Sequence, residues 1–287
     1  MANPLMAGDP IVNAMTVDVE DYFQVSAFEP YIGRDKWNEL PCRVERNTDR
    51  ILQIFAEAGA QATFFTLGWV AERYPALIKR IVEAGHELAC HGYNHVRVTQ
   101  QTPGEFRDDV LRSKRLLEDL GGVQVLGYRA ASYSIGSKNL WALEILEDCG
   151  FRYSSSIYPV KHDLYGMPEA PRFAFRPNTA EGLLEIPVTT VELGKKKLPC
   201  GGGGFFRLLP YRVSRWAIEH VNRRDRQSGV FYFHPWEIDP DQPRQRGIDL
   251  KTRFRHYLNL SRTESRLRRL LLDFRWNTMA HVFLSPH

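Results

Sequence analysis

The sequence predicts an α/β protein: a distorted (β/α) barrel with about seven parallel strands and a C-terminal helical extension. Short apolar runs alternate with segments of helical period over roughly 230 residues, which is typical of parallel strands joined by crossover helices. The 287 residues are 43% hydrophobic, a globular composition. One domain of barrel size or two smaller domains would fit this length.

The predicted strands are short apolar runs, and the last one stops at Pro235, which cannot donate a hydrogen bond to a sheet. The runs lie at 11–17, 62–67, 86–90, 123–129, 151–155, 183–189 and 229–235. No short internal repeat marks a domain boundary. We therefore treat 1–287 as a single domain, with a core over about 11–236 and an extension over about 237–287.

The predicted helices fill the intervals between these runs, and several have end signals. They lie at 48–59, 70–85, 102–122, 137–150, 210–225 and 251–272. We expect Thr48 to cap the first helix and Gly59 to close it. The second helix should break near Pro75. The third opens with Thr102 and Glu105 in the spacing of a capping box.

Charge and composition exclude several classes of protein. The net charge of +4 and the pI of about 8.8 are too mildly basic for a nucleic-acid-binding protein, but they favour a neutral or anionic partner. No apolar stretch reaches the roughly 18 residues of a membrane span. The N-terminus lacks the basic and apolar regions of a secretory signal, so a cytoplasmic location is expected. The oligomeric state is not predicted.

The cysteines, a glycine run and the tail helix are further candidates for a functional role. The four cysteines have no metal-binding or redox spacing and are expected to be reduced thiols. The run Gly201–Gly204 lacks the ending of a nucleotide-binding loop, so a flexible loop beside a groove is expected. The tail helix, 251–272, is basic, and its arginines are expected to form a solvated face over an apolar stripe.

Polar clusters follow three of the predicted strands. TVDVEDYF places Asp18, Glu20 and Asp21 at the end of the first strand, although acidic residues are depleted in strands. HGYNH places His91 and His95 after the third strand, and FYFHPWE places His234 at the end of a late one. Functional residues of a parallel barrel gather at these carboxyl ends, so the clusters should meet.

The spacing of His91 and His95 suits two ligands of one metal ion. Side chains four residues apart converge on a turn of helix or on a loop of similar pitch. Two imidazoles and one carboxylate form a common open catalytic zinc site. A lone pair of histidines is weak evidence, and a structural role is the alternative. The acidic cluster on the neighbouring strand strengthens the metal interpretation.

The motifs TVDVED, HGYNH, GYRAASYS and FYFHPWE resemble, in this order, those of the polysaccharide deacetylases of carbohydrate esterase family 4. The resemblance covers about residues 11–236. TVDVEDYFQVSAF, the later GGGGFFRLLPY and the basic tail resemble the branch associated with bacterial exopolysaccharide loci. The resemblance implies a distorted barrel with fewer than eight repeats.

The resemblance also implies roles for single residues. Asp18 matches the catalytic base, and Arg129 matches the arginine that holds the base ionised. His234 matches the acid that protonates the leaving amine. The implied ligands of a divalent cation, with zinc expected, are His91, His95 and one carboxylate.

That carboxylate is Glu20 or Asp21. Glu20 is favoured because strand alternation places it on the face of Asp18, which leaves a supporting or helix-capping role for Asp21. A backbone N–H near Ser132 or Tyr133 should help to bind the oxyanion. Trp236 is expected to wall the acetyl pocket.

One position departs from the family pattern. The acid that often supports the catalytic histidine is replaced by Ser154, within RYSSSIYP. A serine cannot raise the pKa of His234 by charge. Asp163, in KHDLYG, is the candidate for this supporting role.

The sequence therefore predicts a metal-dependent hydrolase that removes N-acetyl groups from N-acetylhexosamine units of a polysaccharide or of its lipid-linked precursor. Two alternatives stay open. One is a carbohydrate-binding protein without catalysis on the same fold. The other is a metal-free hydrolase of a cyclic amide such as allantoin, which disagrees with the complete set of ligands.

Overall fold

The computed structural model describes residues 11–160, 166–194 and 196–285. The described residues form one sheet of eight strands, in which every pairing is parallel, and a separate antiparallel hairpin, β7–β8. The strands are β1 (Val12–Val19), β2 (Thr63–Thr66), β3 (Glu87–Cys90), β4 (Gly127–Tyr128), β5 (Tyr153–Ser154), β6 (Leu184–Glu185), β7 (Thr190–Leu193), β8 (Lys196–Pro199), β9 (Val230–Phe233) and β10 (Arg275–Asn277).

Helices connect these strands, as the alternating pattern predicts. They are α1 (Val44–Ala58), α2 (Gly68–Arg73), α3 (Pro75–Glu83), α4 (Pro103–Gly121), α5 (Trp141–Asp148), α6 (Gly203–Leu208), α7 (Tyr211–His220), α8 (Leu250–Tyr257), α9 (Leu260–Asp273) and α10 (Met279–Phe283). Pro75 separates α2 from α3, and the capping box of Thr102 and Glu105 opens α4, both as predicted. Among the described residues, no helix has the length and apolar character needed to cross a membrane.

The sheet order makes the distorted barrel. Strands β1 to β6 follow one another in space. Strand β9 pairs with the edge of β1 opposite β2, and β10 pairs with the opening residues of β1. Between β6 and β9 the wall is irregular. There the Val230 N–H donates to the Thr189 hydroxyl, and the Tyr232 N–H donates to the Gly201 carbonyl at 2.7 Å. The predicted barrel of about seven strands is confirmed, with β10 as an eighth.

Strand β1 is buried on both faces, and its alternation separates two environments. Met15, Val17 and Val19 pack into the apolar core against the helices. Thr16 and Asp18 lie on the opposite face, towards the barrel interior, where they contact Arg129. The strand therefore presents its polar side chains inside the barrel, at the end where β1 stops.

The tail differs from the prediction. The predicted helix 251–272 is two helices, α8 and α9, because Asn259 adopts a left-handed conformation with φ 54°. Beyond them, β10 returns to the sheet, with Val12 in register with Arg275. Residues 237–285 therefore contribute a strand to the sheet as well as helices.

The glycine run also differs from the predicted flexible loop. Gly202 forms a parallel bridge with Tyr232, and Gly203 begins α6. A Cβ atom on Gly202 would collide with the Tyr232 carbonyl oxygen. The glycine lets two backbones approach closely beside β9.

Candidate active site

The polar residues that end β1, β3 and β9 converge at one rim of the barrel. Asp18 lies in β1 and Glu20 follows it. His91 comes directly after β3, and His234 directly after β9. His95 has φ 51°, a conformation that L residues rarely adopt. All but His234 are buried, and His234 is only partly exposed.

Glu20, His91 and His95 are arranged as metal ligands. Their candidate ligand atoms all lie within 4.8 Å of one another. His95 Nε2 is 3.0 Å from Glu20 Oε2, yet this oxygen accepts no well-oriented hydrogen bond from a described residue. Two buried ligand atoms that face each other without a hydrogen bond fit a shared cation.

The tautomer of His91 also suits a ligand. Its Nδ1 lies 2.8 Å from the Arg129 carbonyl oxygen, which can only accept, so Nδ1 donates. The neutral ring then keeps its lone pair on Nε2. Metal-binding histidines commonly show this arrangement. Burial lowers the pKa of His91 to about 4, so the ring is neutral at pH 7.

The three histidines set the charge of Glu20. Burial raises the pKa of this carboxyl, but nearby His95, His234 and His91 outweigh it and lower the pKa to about 2. The group is a carboxylate at neutral pH. It is therefore in the form that binds a divalent cation.

Asp21 does not join this cluster, which corrects its inclusion among the predicted ligands. Its Oδ2 accepts hydrogen bonds from the backbone N–H groups of Arg43 and Val44, at 2.6 and 2.8 Å, where α1 begins. Helix starts leave such N–H groups without partners, and a side-chain oxygen satisfies them. Asp21 thus has the helix-capping role that the sequence left as its alternative.

Asp18 is held by a buried arginine. Arg129 Nη1 lies 2.6 Å from Asp18 Oδ1 and donates also to the Thr16 hydroxyl. Its other nitrogens donate to the carbonyl and hydroxyl oxygens of Ser155. The second carboxylate oxygen, Oδ2, faces His234 Nε2 at 3.9 Å. The arginine fixes one oxygen of Asp18 and leaves the other directed into the site.

His234 is oriented by a residue that sequence reasoning missed. Its Nδ1 lies 2.7 Å from Glu237 Oε1, and the other oxygen of Glu237 accepts from Arg207 Nε at 2.6 Å. Arg207 is in turn fixed by the carbonyl oxygen of His256 at 2.7 Å. The available signal was the spacing of HPWE, in which a glutamate follows three residues after the capping position.

The charges around His234 favour its protonated form. Burial lowers the pKa of the imidazole, but Glu20, Glu237 and Asp18 outweigh it and raise the pKa to about 9. Among the described residues, Glu237 therefore supports His234, and the supporting role of Asp163 stays a prediction. Asp163 lies outside the described residues. Ser154 is buried and donates to the hydroxyl of Ser156.

Two predicted substrate contacts lie deeper than expected. Trp236 is only 5% exposed. Its ring stacks with His234 and His256, and its Nε1 donates to Glu20 Oε1 at 3.4 Å. Trp236 therefore packs beneath the site and supports His234 and Glu20, rather than lying on an open rim. Tyr133 is also buried, against the rings of Tyr158 and Tyr232.

The backbone beside Arg129 is in an uncommon conformation. Ser132 and Tyr133 have φ values of 53° and 52°, which favour glycine and cost conformational energy for other residues. The Tyr133 N–H is engaged by the Ala130 carbonyl at 3.0 Å. Of the two predicted oxyanion donors, Tyr133 is thus occupied by a backbone partner.

A surface cleft flanks the histidine loop. Its volume is about 470 Å³. Tyr93 and Asn94, which lie between the two histidines in the chain, form one wall. Its other lining residues are Arg34, Asn38, Trp69, Glu72 and Arg73. Aromatic, amide and guanidinium groups together suit a hydroxyl-rich ligand.

Two family models match parts of this chain. Residues 36–154 match the model for polysaccharide deacetylase, and residues 155–284 match a second model, described as a domain of unknown function, DUF3473. Residues 36–154 thus match the polysaccharide deacetylase family, and this match confirms the predicted resemblance to that family. Asp18 and Glu20 precede the first match, and His234 lies in the second.

Individual relatives agree with this class. A peptidoglycan deacetylase of Helicobacter pylori is 33% identical over 108 residues, which are 38% of this chain and 36% of the relative. The alignments cover about a third of the length of the first curated relatives. A crystal structure of a protein assigned as a polysaccharide deacetylase from Mycobacterium smegmatis has a TM-score of 0.60 at 20% identity, covering 98% of this chain and 92% of that one.

The fold is shared with a different activity. The Puue allantoinase has a TM-score of 0.60 at 16% identity, covering 98% of this chain and 93% of that one. At such identities the likeness describes the fold alone. The choice between activities depends on the side chains of the site.

Proposed function

We propose that the protein is a metal-dependent hydrolase that releases acetate from N-acetylhexosamine units of a polysaccharide or of its lipid-linked precursor. The observation that carries this proposal is the convergence of three groups at one rim of the barrel. They are the Asp18–Arg129 ion pair, the Glu20–His91–His95 cluster and the His234–Glu237 pair. The peptidoglycan deacetylase among its relatives supports an N-acetylated glycan as the substrate class. The exopolysaccharide branch stays a prediction.

Asp18 is placed to act as the general base. Hydrolysis of an amide requires water to lose a proton as it attacks the carbonyl carbon. Asp18 Oδ2 is directed into the site, while Arg129 fixes Oδ1 at 2.6 Å. This geometry lets the carboxylate take that proton without rotating away.

His234 is placed to act as the general acid. When the C–N bond breaks, the amine nitrogen needs a proton, because an unprotonated amide anion is a poor leaving group. His234 Nε2 faces the site, 3.6 Å from Glu20 and 3.9 Å from Asp18. Glu237 fixes the opposite nitrogen, so the proton on Nε2 points to the substrate. The products are acetate and a free amine.

Glu20, His91 and His95 would hold the divalent cation, for which we propose zinc. One carboxylate and two imidazoles leave open positions, as in catalytic zinc sites. Such an ion supplies Lewis acidity, which polarises the acetyl carbonyl and acidifies water. The side chains of Glu20, His91 and His95 fit a divalent cation, because all three are buried and Glu20 is ionised at neutral pH.

Metal content and acetate release test this proposal together. We expect about one equivalent of zinc per chain, and acetate release from N-acetylglucosamine oligomers that a chelator abolishes. Glu20→Ala should lose the metal and the activity. Asp21→Ala should keep the metal but unfold more easily, because the start of α1 loses its cap.

A well-folded, zinc-loaded protein that releases no acetate from any such oligomer would overturn the hydrolase and favour the carbohydrate-binding alternative. The shared fold of the Puue allantoinase makes allantoin the comparison substrate. Turnover of allantoin by metal-free protein would favour a cyclic-amide hydrolase instead.

A further inference from the structure

We propose that α8 and the loop before it form a docking surface for an anionic lipid bilayer. This inference is independent of the proposed hydrolysis. The surface comprises residues 244–255, and it combines exposed apolar side chains with cations that form no ion pair with any residue that the structure describes.

The apolar part of the docking surface is a pair of side chains one helical turn apart. Leu250 is 82% exposed and Phe254 is 58% exposed. Residues four apart lie on the same face of a helix, so the two form one apolar edge. Large apolar side chains this exposed are uncommon as neighbours on a surface and often mark a contact site.

The cationic part surrounds this edge. The five exposed cations are Arg244, Arg246, Lys251, Arg253 and Arg255. None lies within 4.0 Å of a carboxylate of any described residue. Arg50 and Arg268, by contrast, are paired with Glu264 and Glu57. The five cations therefore offer their charge to an external partner.

The docking surface is strongly positive compared with the rest of the chain. Asp249 is its single acidic residue, and its carboxylate is used to cap α8, accepting from the N–H groups of Lys251 and Thr252. The positive excess of this short segment equals the net charge of the whole chain, +4. A concentrated positive field of this kind attracts an anionic surface.

The combination of the two parts favours a bilayer over other anionic partners. A soluble polyanion would bind the cations but leave Leu250 and Phe254 in water. A second copy of this chain would bring like charges together. An anionic bilayer satisfies both, because its headgroups bind cations and its acyl region accepts the apolar edge.

The docking surface is connected to the candidate active site. On the opposite face of α8, His256 stacks on Trp236 with ring centroids 4.3 Å apart, and Trp236 stacks on His234. The Asp249 carboxylate accepts from the Tyr31 hydroxyl at 2.9 Å, which ties α8 to the loop after β1. Docking through α8 would thus hold the candidate active site close to the membrane.

Vesicle binding tests the inference with the full chain. Co-sedimentation with vesicles of phosphatidylcholine alone should be weak. Adding about 30 mol% phosphatidylglycerol at about 0.1 M salt should increase the bound fraction tenfold or more. The double variant Leu250→Gln/Phe254→Gln should lose at least tenfold in partition coefficient, and so should Arg253→Glu/Arg255→Glu.

The matched control is Leu272→Gln, because Leu272 is a leucine of equal exposure, 81%, on α9. It should bind like the unaltered protein. All substitutions are on the surface, so circular dichroism should show unchanged folding. Absence of binding to phosphatidylglycerol vesicles would overturn the inference. It would also fail if Leu250→Gln/Phe254→Gln bound as well as the unaltered chain, since charge alone would then account for the binding and nothing would favour a bilayer over a soluble polyanion.

Discussion

The Glu237 carboxylate lies between two cationic side chains, His234 and Arg207, and is a hydrogen-bond partner of both. One of its oxygens accepts from His234 and the other from Arg207. Removing its charge leaves the Arg207 guanidinium buried without a carboxylate and releases the imidazole from its orientation. Buried charges that lose a partner are costly. Glu237 therefore acts as a positioning residue for His234 in the proposed reaction.

We predict that Glu237→Gln lowers kcat by about tenfold to a hundredfold, with a smaller change in KM. The amide keeps the shape of the side chain but loses the charge that both neighbours use. Glu237→Asp should recover part of the loss because it restores the charge. Steady-state release of acetate measures this.

The control for this prediction is Glu264→Gln, which removes another arginine-paired carboxylate, on α9. It should leave kcat unchanged. Equal kcat values for Glu237→Gln and the unaltered enzyme would contradict the positioning role.

His86 is a buried histidine outside the site, and it should make stability depend on pH. Its Nδ1 accepts from the Ala62 N–H, and its ring packs against Phe55 and Phe64. Burial lowers its pKa from 6.5 to about 4. In the folded state the ring stays neutral over a range where the unfolded chain binds a proton.

We predict that this contribution to the free energy of unfolding is full above pH 6.5 and falls as the pH drops from 6.5 towards about 4. Between about pH 7.5 and pH 5 the loss from His86 is about 2 kcal/mol. Urea unfolding at the two pH values measures it. His86→Gln should show a loss smaller by that amount, and an identical pH dependence in both proteins would refute the assignment.

At the scale of elements, helix ends show what local sequence can and cannot predict. The capping box of α4 was predictable because Thr102 and Glu105 are three residues apart and satisfy each other's N–H groups. The start of α1 was not. The predicted cap, Thr48, lies inside the helix and donates to the Val44 carbonyl, while Asp21 caps the helix from another part of the chain.

Local sequence does not show contacts between distant residues, and this limit also explains other differences between prediction and structure. Alternation in β1 predicted that Asp18 and Glu20 lie on one face. Both carboxylates face His234, although Glu20 lies beyond the end of β1, in a turn. The hairpin β7–β8, the strand β10 and the support of His234 by Glu237 and Arg207 depend on contacts between distant residues. The candidate metal-binding cluster was predictable only because each of its members follows a recognisable strand.

The capping box gives a direct prediction of stability. Thr102→Ala should reduce the free energy of unfolding by about 1 kcal/mol, because the Glu105 N–H loses its acceptor. Urea denaturation at neutral pH measures this. The control is Ser265→Ala, which removes an exposed hydroxyl that donates to the Arg262 carbonyl within α9. It should change stability by less than half as much, and equal effects would contradict the capping role.

At the scale of the whole molecule, the boundary between the two matched family models falls inside the sheet. The first match ends at residue 154, at the end of β5. Strand β9, which pairs with β1, belongs to the second match and carries the chain to His234. The proposed acid and the proposed base therefore come from different halves of the sequence.

We predict that the halves do not fold separately, as expected for a single domain. A fragment of residues 1–154 would leave β1 without β9 and β10, and β5 without β6. It should show little fixed structure by circular dichroism and NMR, whereas the full chain should unfold in one transition. A folded fragment, or two separate calorimetric transitions in the full chain, would indicate two domains instead.

The pairing of β10 with β1 has a consequence for biosynthesis. Val12 is matched with Arg275 in register, so the partner of Val12 is translated long after Val12 itself. A nascent chain must keep this part of β1 unmatched until Arg275–Asn277 have emerged from the ribosome. Premature pairing with another nascent chain is the hazard that a cellular chaperone would have to prevent.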